Sequence, residues 1–330
     1  MMGYLLVFLL PTLVTLAFAL GGVWVLIPFG LIFFVHPLLD QIKIPVRSTR
    51  PSELESRISE TVLLAYVLIQ TAVLFFAYSQ IYSMDLSTGR AIFLGGLLST
   101  MTGAIGITAA HELIHRPVKW QRGLGLFLLV QVLYMHFRIE HVFGHHVWVG
   151  TERDPATARK NESLYRFWIR TIPAQFRDAW RLESMRKWYR NRVAQYLLIQ
   201  FALVSLIFIG FGFYFGVVFL SQALFSILYL ETVNYLEHYG LVRLKTGDNK
   251  WQPITDKVSW DCEYLLTNRI LFNLGIHNDH HLHPRRKYSE LRLSKESLKM
   301  PFGYSTGLLL SLIPPFWFRI MNKKLEFQIV

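Results

Sequence analysis

The sequence predicts an all-α integral membrane protein, with six transmembrane helices and a histidine-rich catalytic region on their cytoplasmic side. Three observations lead there. Residues 1–39, 61–84, 91–110 and 193–230 contain no Asp, Glu, Lys or Arg. About 20 helical residues cross the hydrocarbon layer, so the two middle runs take one crossing each and the two outer runs two each. Of the 34 Lys and Arg residues, all but Arg90 fall in 40–60, 116–194 and 239–330. That bias is the positive-inside pattern, and it places those segments and both termini in the cytoplasm. Nine of the 12 histidines fall in four tight clusters, all on that side.

The spans are expected at about 3–20, 23–39, 61–83, 91–112, 195–215 and 219–237. Gly21-Gly22 turns the first hairpin, and the stretch from Gly210 to Gly216 loosens the last. Ala17-Phe18-Ala19 has the form of a signal-peptidase site, but no basic residue precedes it and apolar sequence continues, so a retained helix is expected. Residues 123–137 are too short to cross and fit a half-buried or re-entrant helix. Pro314-Pro315 interrupts 300–318, which reads as interfacial. The stretch 151–194 is basic and carries Trp168, Trp180 and Trp188, as a segment on the membrane surface would. With no repeat and no low-complexity linker, one domain over 1–330 is expected, its cytoplasmic catalytic segments being 111–194 and 238–330.

Net charge is +12, but its placement along membrane-flanking segments speaks for lipid and against a nucleic-acid partner. Cys262 is the single cysteine, which excludes intrachain disulfides and any thiolate-built cluster. It equally excludes a fused rubredoxin or ferredoxin domain, since those need four.

The clusters are His111-Glu112-Leu113-Ile114-His115, then Glu140-His141-Val142-Phe143-Gly144-His145-His146, then Glu237-His238-Tyr239-Gly240, then His277-Asn278-Asp279-His280-His281. Spacings of three and four put imidazoles on one helix face. Taken alone, HELIH matches a zinc-protease pattern with Glu112 as base, and a lone His238 reads as a helix-end residue. Nine histidines converging on one membrane face do not fit those bland readings, because ionisable groups near membrane depth are costly. A mononuclear zinc enzyme needs three protein ligands, so nine suit two metals. An acid adjoins a ligand in each cluster: Glu112, Glu140, Glu237 and Asp279. Such groups commonly accept the second N–H of a metal-bound imidazole. His36 is read as structural, and His136 and His283 as supporting or surface residues. Imidazole does not by itself choose among Zn, Cu, Fe and Ni.

The boxes HELIHR, EHVFGHH, NYLEHYGL and HNDHH together resemble the integral-membrane alkane 1-monooxygenases and their xylene monooxygenase relatives, histidine-box hydroxylases of the desaturase-like superfamily. The resemblance runs from about His111 to Leu291 and includes ERDPATAR and ESLYRFWIR. It implies a non-haem di-iron centre, two Fe, that uses O2 to hydroxylate a terminal methyl group of an apolar hydrocarbon in a bacterial inner (plasma) membrane. It also implies electrons from rubredoxin, or from a ferredoxin-type donor, with its reductase. Carried over by position, the metal ligands are His111, His115, His141, His145, His146, His238, His277, His280 and His281. Ile276 and Asn278 stand where the family usually has Arg and Ser, and Val258-Ser259-Trp260-Asp261 where it has His-Ser-Trp-Asn. Those departures bear on substrate choice. Trp24, Phe29, Phe33 and Thr108 are candidates to line a substrate channel, and Arg153, Arg159, Lys160, Arg285, Arg286 and Lys287 to receive an acidic donor. The competing readings are a fatty-acid desaturase or hydroxylase, a xylene-type methyl hydroxylase, an intramembrane zinc protease and a divalent-metal transporter. The last would place its site near mid-membrane rather than at span ends.

Overall fold

The structure is a computed structural model and describes residues 2–43, 51–247 and 250–326. The end of the expected C-terminal catalytic segment, 327–330, lies outside the described residues. Among those described, six helices are long and apolar enough to cross a membrane: Gly3–Leu20, Gly22–Leu39, Glu53–Tyr82, Thr88–Ile114, Arg192–Phe211 and Phe213–His238. We call them spans one to six. Among the described residues, the rest is shorter helices, turns and four short strands.

Boundaries differ from the hydropathy reading where capping decides. Span three begins eight residues before its apolar run, because Ser52 and Glu55 form a capping box that satisfies free N–H groups at its start. Span five ends at Gly212, whose φ of +88° suits glycine, rather than near residue 215. Span four packs on span six along small residues. A Cβ on Gly95 would lie 2.6 Å from the Val218 carbonyl, and one on Gly103 would lie 2.7 Å from Ser226 Cα. Backbones approach this closely only where side chains are missing, which is how membrane helices gain packing contacts. Thr102 Oγ1 and Ser226 Oγ, 2.8 Å apart, add a hydrogen bond across the seam. The consequence is functional: the seam carries the His111 end of span four and the His238 end of span six side by side.

The expected re-entrant segment is a 12-residue helix, Lys119–Val130, followed by a turn into the short helix Phe137–Glu140. Broken backbone at membrane depth needs substitute partners. Glutamines of the spans supply them, Gln222 donating to the Gln131 carbonyl at 3.1 Å and Gln200 accepting the Met135 N–H at 2.9 Å. The helix Leu164–Glu183, within the segment expected on the membrane surface, buries one face against the spans: Gln175 donates to Glu231 of span six at 2.7 Å. Pro314-Pro315 opens a new helix, Pro314–Glu326, at positions where no intrahelical N–H is needed. Apolar packing falls into two clusters. The larger joins the histidine end of the spans to residues 260–325, and the smaller holds the other end together around Val14, Ala77, Leu94 and Val218.

Candidate metal centre

His111 and His115, one turn apart at the end of span four, have ring centroids 5.0 Å apart. The second box enters through a π-helical turn, His141–His145, whose hydrogen bonds close five residues apart. The wider turn brings His141 and His146 together, Nε2 to Nε2 at 3.1 Å. His145 stacks on His141 at 5.1 Å, yet its ligating nitrogen belongs elsewhere. In the single helix His277–Leu282, His277 and His281 face one way and His280 the other, with His280 Nε2 3.0 Å from His146 Nε2. His238 is the last residue of span six. The nine imidazoles thus divide into two adjoining groups: His111, His115, His141, His146 and His280, and His145, His238, His277 and His281.

Each group could hold a metal ion, its ligand atoms all lying within 4.8 Å of one another. Nitrogens bound to one ion at about 2.0–2.1 Å sit about 3.0 Å apart when adjacent and about 4.2 Å apart when opposite, so only slight closing is required. Among the described residues, the buried Nε2 atoms of His111, His115, His145, His238 and His281 have no hydrogen-bond partner. Orphaned buried nitrogens in such number call for an occupant. Burial, helped by neighbouring imidazoles, pushes His115, His141, His146, His277, His280 and His281 well below the usual histidine range. They are therefore neutral, the form that binds metal.

Behind the imidazoles, Asp154 lies 2.9 Å from His145 Nδ1 and the Val258 carbonyl 3.1 Å from His238 Nδ1. Glu237 Oε2 is 3.3 Å from His277 Nε2, while its Oε1 accepts the Tyr304 hydroxyl at 2.6 Å. The other three acids singled out by adjacency are placed differently. Glu112 accepts the Tyr288 N–H at 3.0 Å and pairs with Arg116 at 2.8 Å. Asp279 takes both contacts from Arg286, at 2.5 and 2.6 Å, with the Arg292 N–H and His283 Nδ1. Neither Glu140 oxygen has a hydrogen-bond partner among the described residues. A residue next to a helical ligand is rotated by about 100° around the axis, so it points away from the ion its neighbour would bind. Asp154 was missed for the converse reason. It lies nine residues beyond His145 in a turn whose only sequence signal is the Arg-Asp-Pro of ERDPATAR. Burial raises its carboxyl, but the His145 imidazole and the Thr157 hydroxyl outweigh that and hold it below the usual range. Asp154→Asn should cost about 10–100-fold in metal affinity, read by chelator competition. Unchanged affinity would show that His145 does not depend on the carboxylate.

His136 belongs to neither group. It is buried between Tyr134 and Phe176, at 4.5 and 5.3 Å, and burial pushes it down to about 4. A cavity of about 70 Å³ begins one helical turn before His111, at Thr108, and is walled by Leu236, Leu274, Thr232 and Tyr304. It shares Tyr229, Thr232 and Leu308 with an outer groove of about 460 Å³ that Phe29, Phe33 and Trp168 help to line. Trp24 lines neither space. It sits 38% exposed in the turn Gly22–Leu26, at the start of span two, whereas His36 and the inner cavity lie near its end. A third pocket, of about 550 Å³, reaches His115 and His146 past Arg116, Arg122, Arg138 and Arg285.

The fatty acid desaturase family model matches residues 88–308, a stretch holding all nine histidines. Alkane 1-monooxygenase 2 of Alcanivorax borkumensis is 38% identical over 320 residues, covering 92% of this chain and 83% of its own length. Alkane 1-monooxygenase 1 of Pseudomonas aeruginosa is 39% identical over 71% of this chain and 64% of its own. The xylene/toluene monooxygenase hydroxylase component of Pseudomonas putida is 29% identical over 68% and 62%.

Proposed function

This chain belongs to the fatty acid desaturase family, among the alkane 1-monooxygenases, and we propose that it hydroxylates a terminal methyl group of an alkane or related apolar hydrocarbon to a primary alcohol. It is an oxidoreductase and a membrane hydroxylase with a histidine cluster. The observation that carries the proposal is an apolar cavity that ends one turn from His111 and continues into a groove among the spans. A hydrocarbon dissolved in the bilayer can enter by such a route without crossing water.

In this reading two irons are held, one by His111, His115, His141, His146 and His280, the other by His145, His238, His277 and His281. Bound there, they supply the activation of O2 for oxygen insertion into a C–H bond. The protein does the rest. Phe29 and Phe33 receive the chain, and Thr108 and Leu236 bring its end beside the histidines. Asp154 and the Val258 carbonyl fix the tautomers of His145 and His238. Burial of the groups excludes water. No Lys or Arg lines the cavity or the groove among the described residues, so neither offers a counter-charge to a fatty-acid carboxylate, which favours hydrocarbon over fatty acid. The cation bias supports a plasma-membrane protein with its histidines facing the cytoplasm, and the arginine-lined pocket supports docking of a rubredoxin or ferredoxin-type donor there.

The purified protein should contain about two irons per chain, matching two imidazole groups. Supplied with ¹⁸O2, donor and a mixture of alkanes, xylenes and fatty acids, it should form labelled primary alcohols from the alkanes, read by mass spectrometry. Stoichiometric zinc with activity intact, or unsaturated fatty acids as the product, would sink the reading.

A further inference from the structure

Span two ends in the short helix His36–Leu39, directly after a π-helical turn at Leu31–Val35. His36 is buried, 8% exposed, and forms part of the inner cavity wall. Its Nδ1 lies 2.6 Å from Ser305 Oγ, while its Nε2 has no hydrogen-bond partner among the described residues. Asp40 Oδ2 stands 4.0 Å from Nε2, beyond hydrogen-bond reach. Asp40 is itself engaged, accepting the N–H and hydroxyl of Thr267. A carboxyl oxygen on that side favours the tautomer protonated at Nε2, which leaves the Ser305 hydroxyl to donate to Nδ1. Neighbouring polar groups of the wall direct their protons away: Thr108 to the Ala104 carbonyl at 3.1 Å, Thr232 to the Leu228 carbonyl at 2.6 Å, Tyr304 to Glu237 at 2.6 Å. His36, in the wall of an apolar cavity, therefore holds a buried imidazole N–H that has no acceptor among the described residues.

A buried donor without an acceptor is costly, and an ionisable residue at membrane depth is functional by default. A hydrocarbon offers His36 no acceptor. An oxygen at the chain end does. We propose that His36 donates a hydrogen bond to an oxygen-bearing chain in the inner cavity, so that this site holds a primary alcohol more tightly than the hydrocarbon of the same length. The inference rests on the reading of the cavity as the place where the hydrocarbon is oxidised. His36 would then retain the product, or admit an already oxygenated chain.

The test is displacement of radiolabelled dodecane from the purified protein in nanodiscs by 1-dodecanol and by unlabelled dodecane. Comparing the two competitors between variants cancels their partition into lipid. Wild-type protein should prefer the alcohol, and His36→Leu should lower that preference about tenfold, the worth of one hydrogen bond to a buried group. His36→Gln, which keeps an N–H, should restore part of it. If His36→Leu does not fold, Ser305→Ala, which releases the tautomer, should weaken the preference instead. Leu308→Trp, which fills the junction of cavity and groove, should abolish displaceable dodecane. An alcohol preference unchanged in His36→Leu, with binding still blocked by Leu308→Trp, overturns the role of His36 alone. Binding that survives Leu308→Trp undiminished overturns the cavity reading along with it.

Discussion

His238→Ala should purify with about one metal per chain in place of two and show no measurable hydroxylation, whereas His146→Ala should keep both metals. The contrast follows from unequal groups. His146 shares its group with four other imidazoles, His238 with three. Removing His146 leaves four nitrogens, enough for a complete site. Removing His238 leaves three, one fewer than the four protein ligands of a closed site, and opens the place it filled to competing water. His238 is also the member that span six itself carries, fixed by the Val258 carbonyl, so no neighbouring side chain replaces it. Its loss should exceed the 10–100-fold typical of groups that stand behind a ligand. Elemental analysis of both variants, with thermal unfolding as the control for fold, checks the pair. Wild-type metal content in His238→Ala would remove it from the ligand set.

Much of this arrangement was legible because it rests on properties that sum along the chain. Charge-free runs gave six helices in both sequence and structure, and only their ends moved, at Ser52 and Gly212, where one hydrogen bond or one φ decides. Two of the boxes meet because spans four and six, closely packed through Gly95 and Gly103, carry His111 and His238 in their last turns. Grouping within the boxes was not legible. Spacing of four puts His141 and His145 on one face, where they do stack, but it leaves their grouping open, and the π-helical turn brings His141 Nε2 to His146 instead. Adjacency likewise misled for Glu112, Glu140 and Asp279, since a neighbour in a helix faces elsewhere, and it hid Asp154, which the fold brings to His145 from outside the box. Trp24 fails as a channel residue because apolarity alone does not distinguish a lipid-facing ring from a cavity wall. Phe29 and Phe33 do line the groove.

Without a separate iron–sulfur donor and its reductase, the protein should form no product from NADH, and with them the rate at limiting donor should fall steeply with salt. Cys262 is the one cysteine of these 330 residues and is buried, so they offer no cysteine-ligated cluster beside the histidines. The sequence likewise shows no glycine-rich dinucleotide motif. In the proposed reading electrons arrive from a separate donor, and the surface nearest the histidines is basic. Arg122, Arg138 and Arg285 frame the pocket that reaches His115 and His146, with Arg153, Arg159 and Lys160 exposed on the same basic segments. Two cations expected to join this set are already engaged: Arg286 with Asp279, and Lys287 with Glu60 at 3.6 Å. An acidic donor approaching such a surface gains about 10–10³-fold in association rate from steering. Shortening the Debye length from about 10 Å at 0.1 M salt to about 3 Å at 1 M should erase most of that gain. Turnover at saturating donor should change far less, because salt acts on encounter rather than on chemistry. Arg285→Glu should lower the limiting-donor rate further at low salt and flatten its salt dependence. If the cations serve only to hold anionic lipid, the limiting-donor rate will be flat with salt in wild type and variant alike.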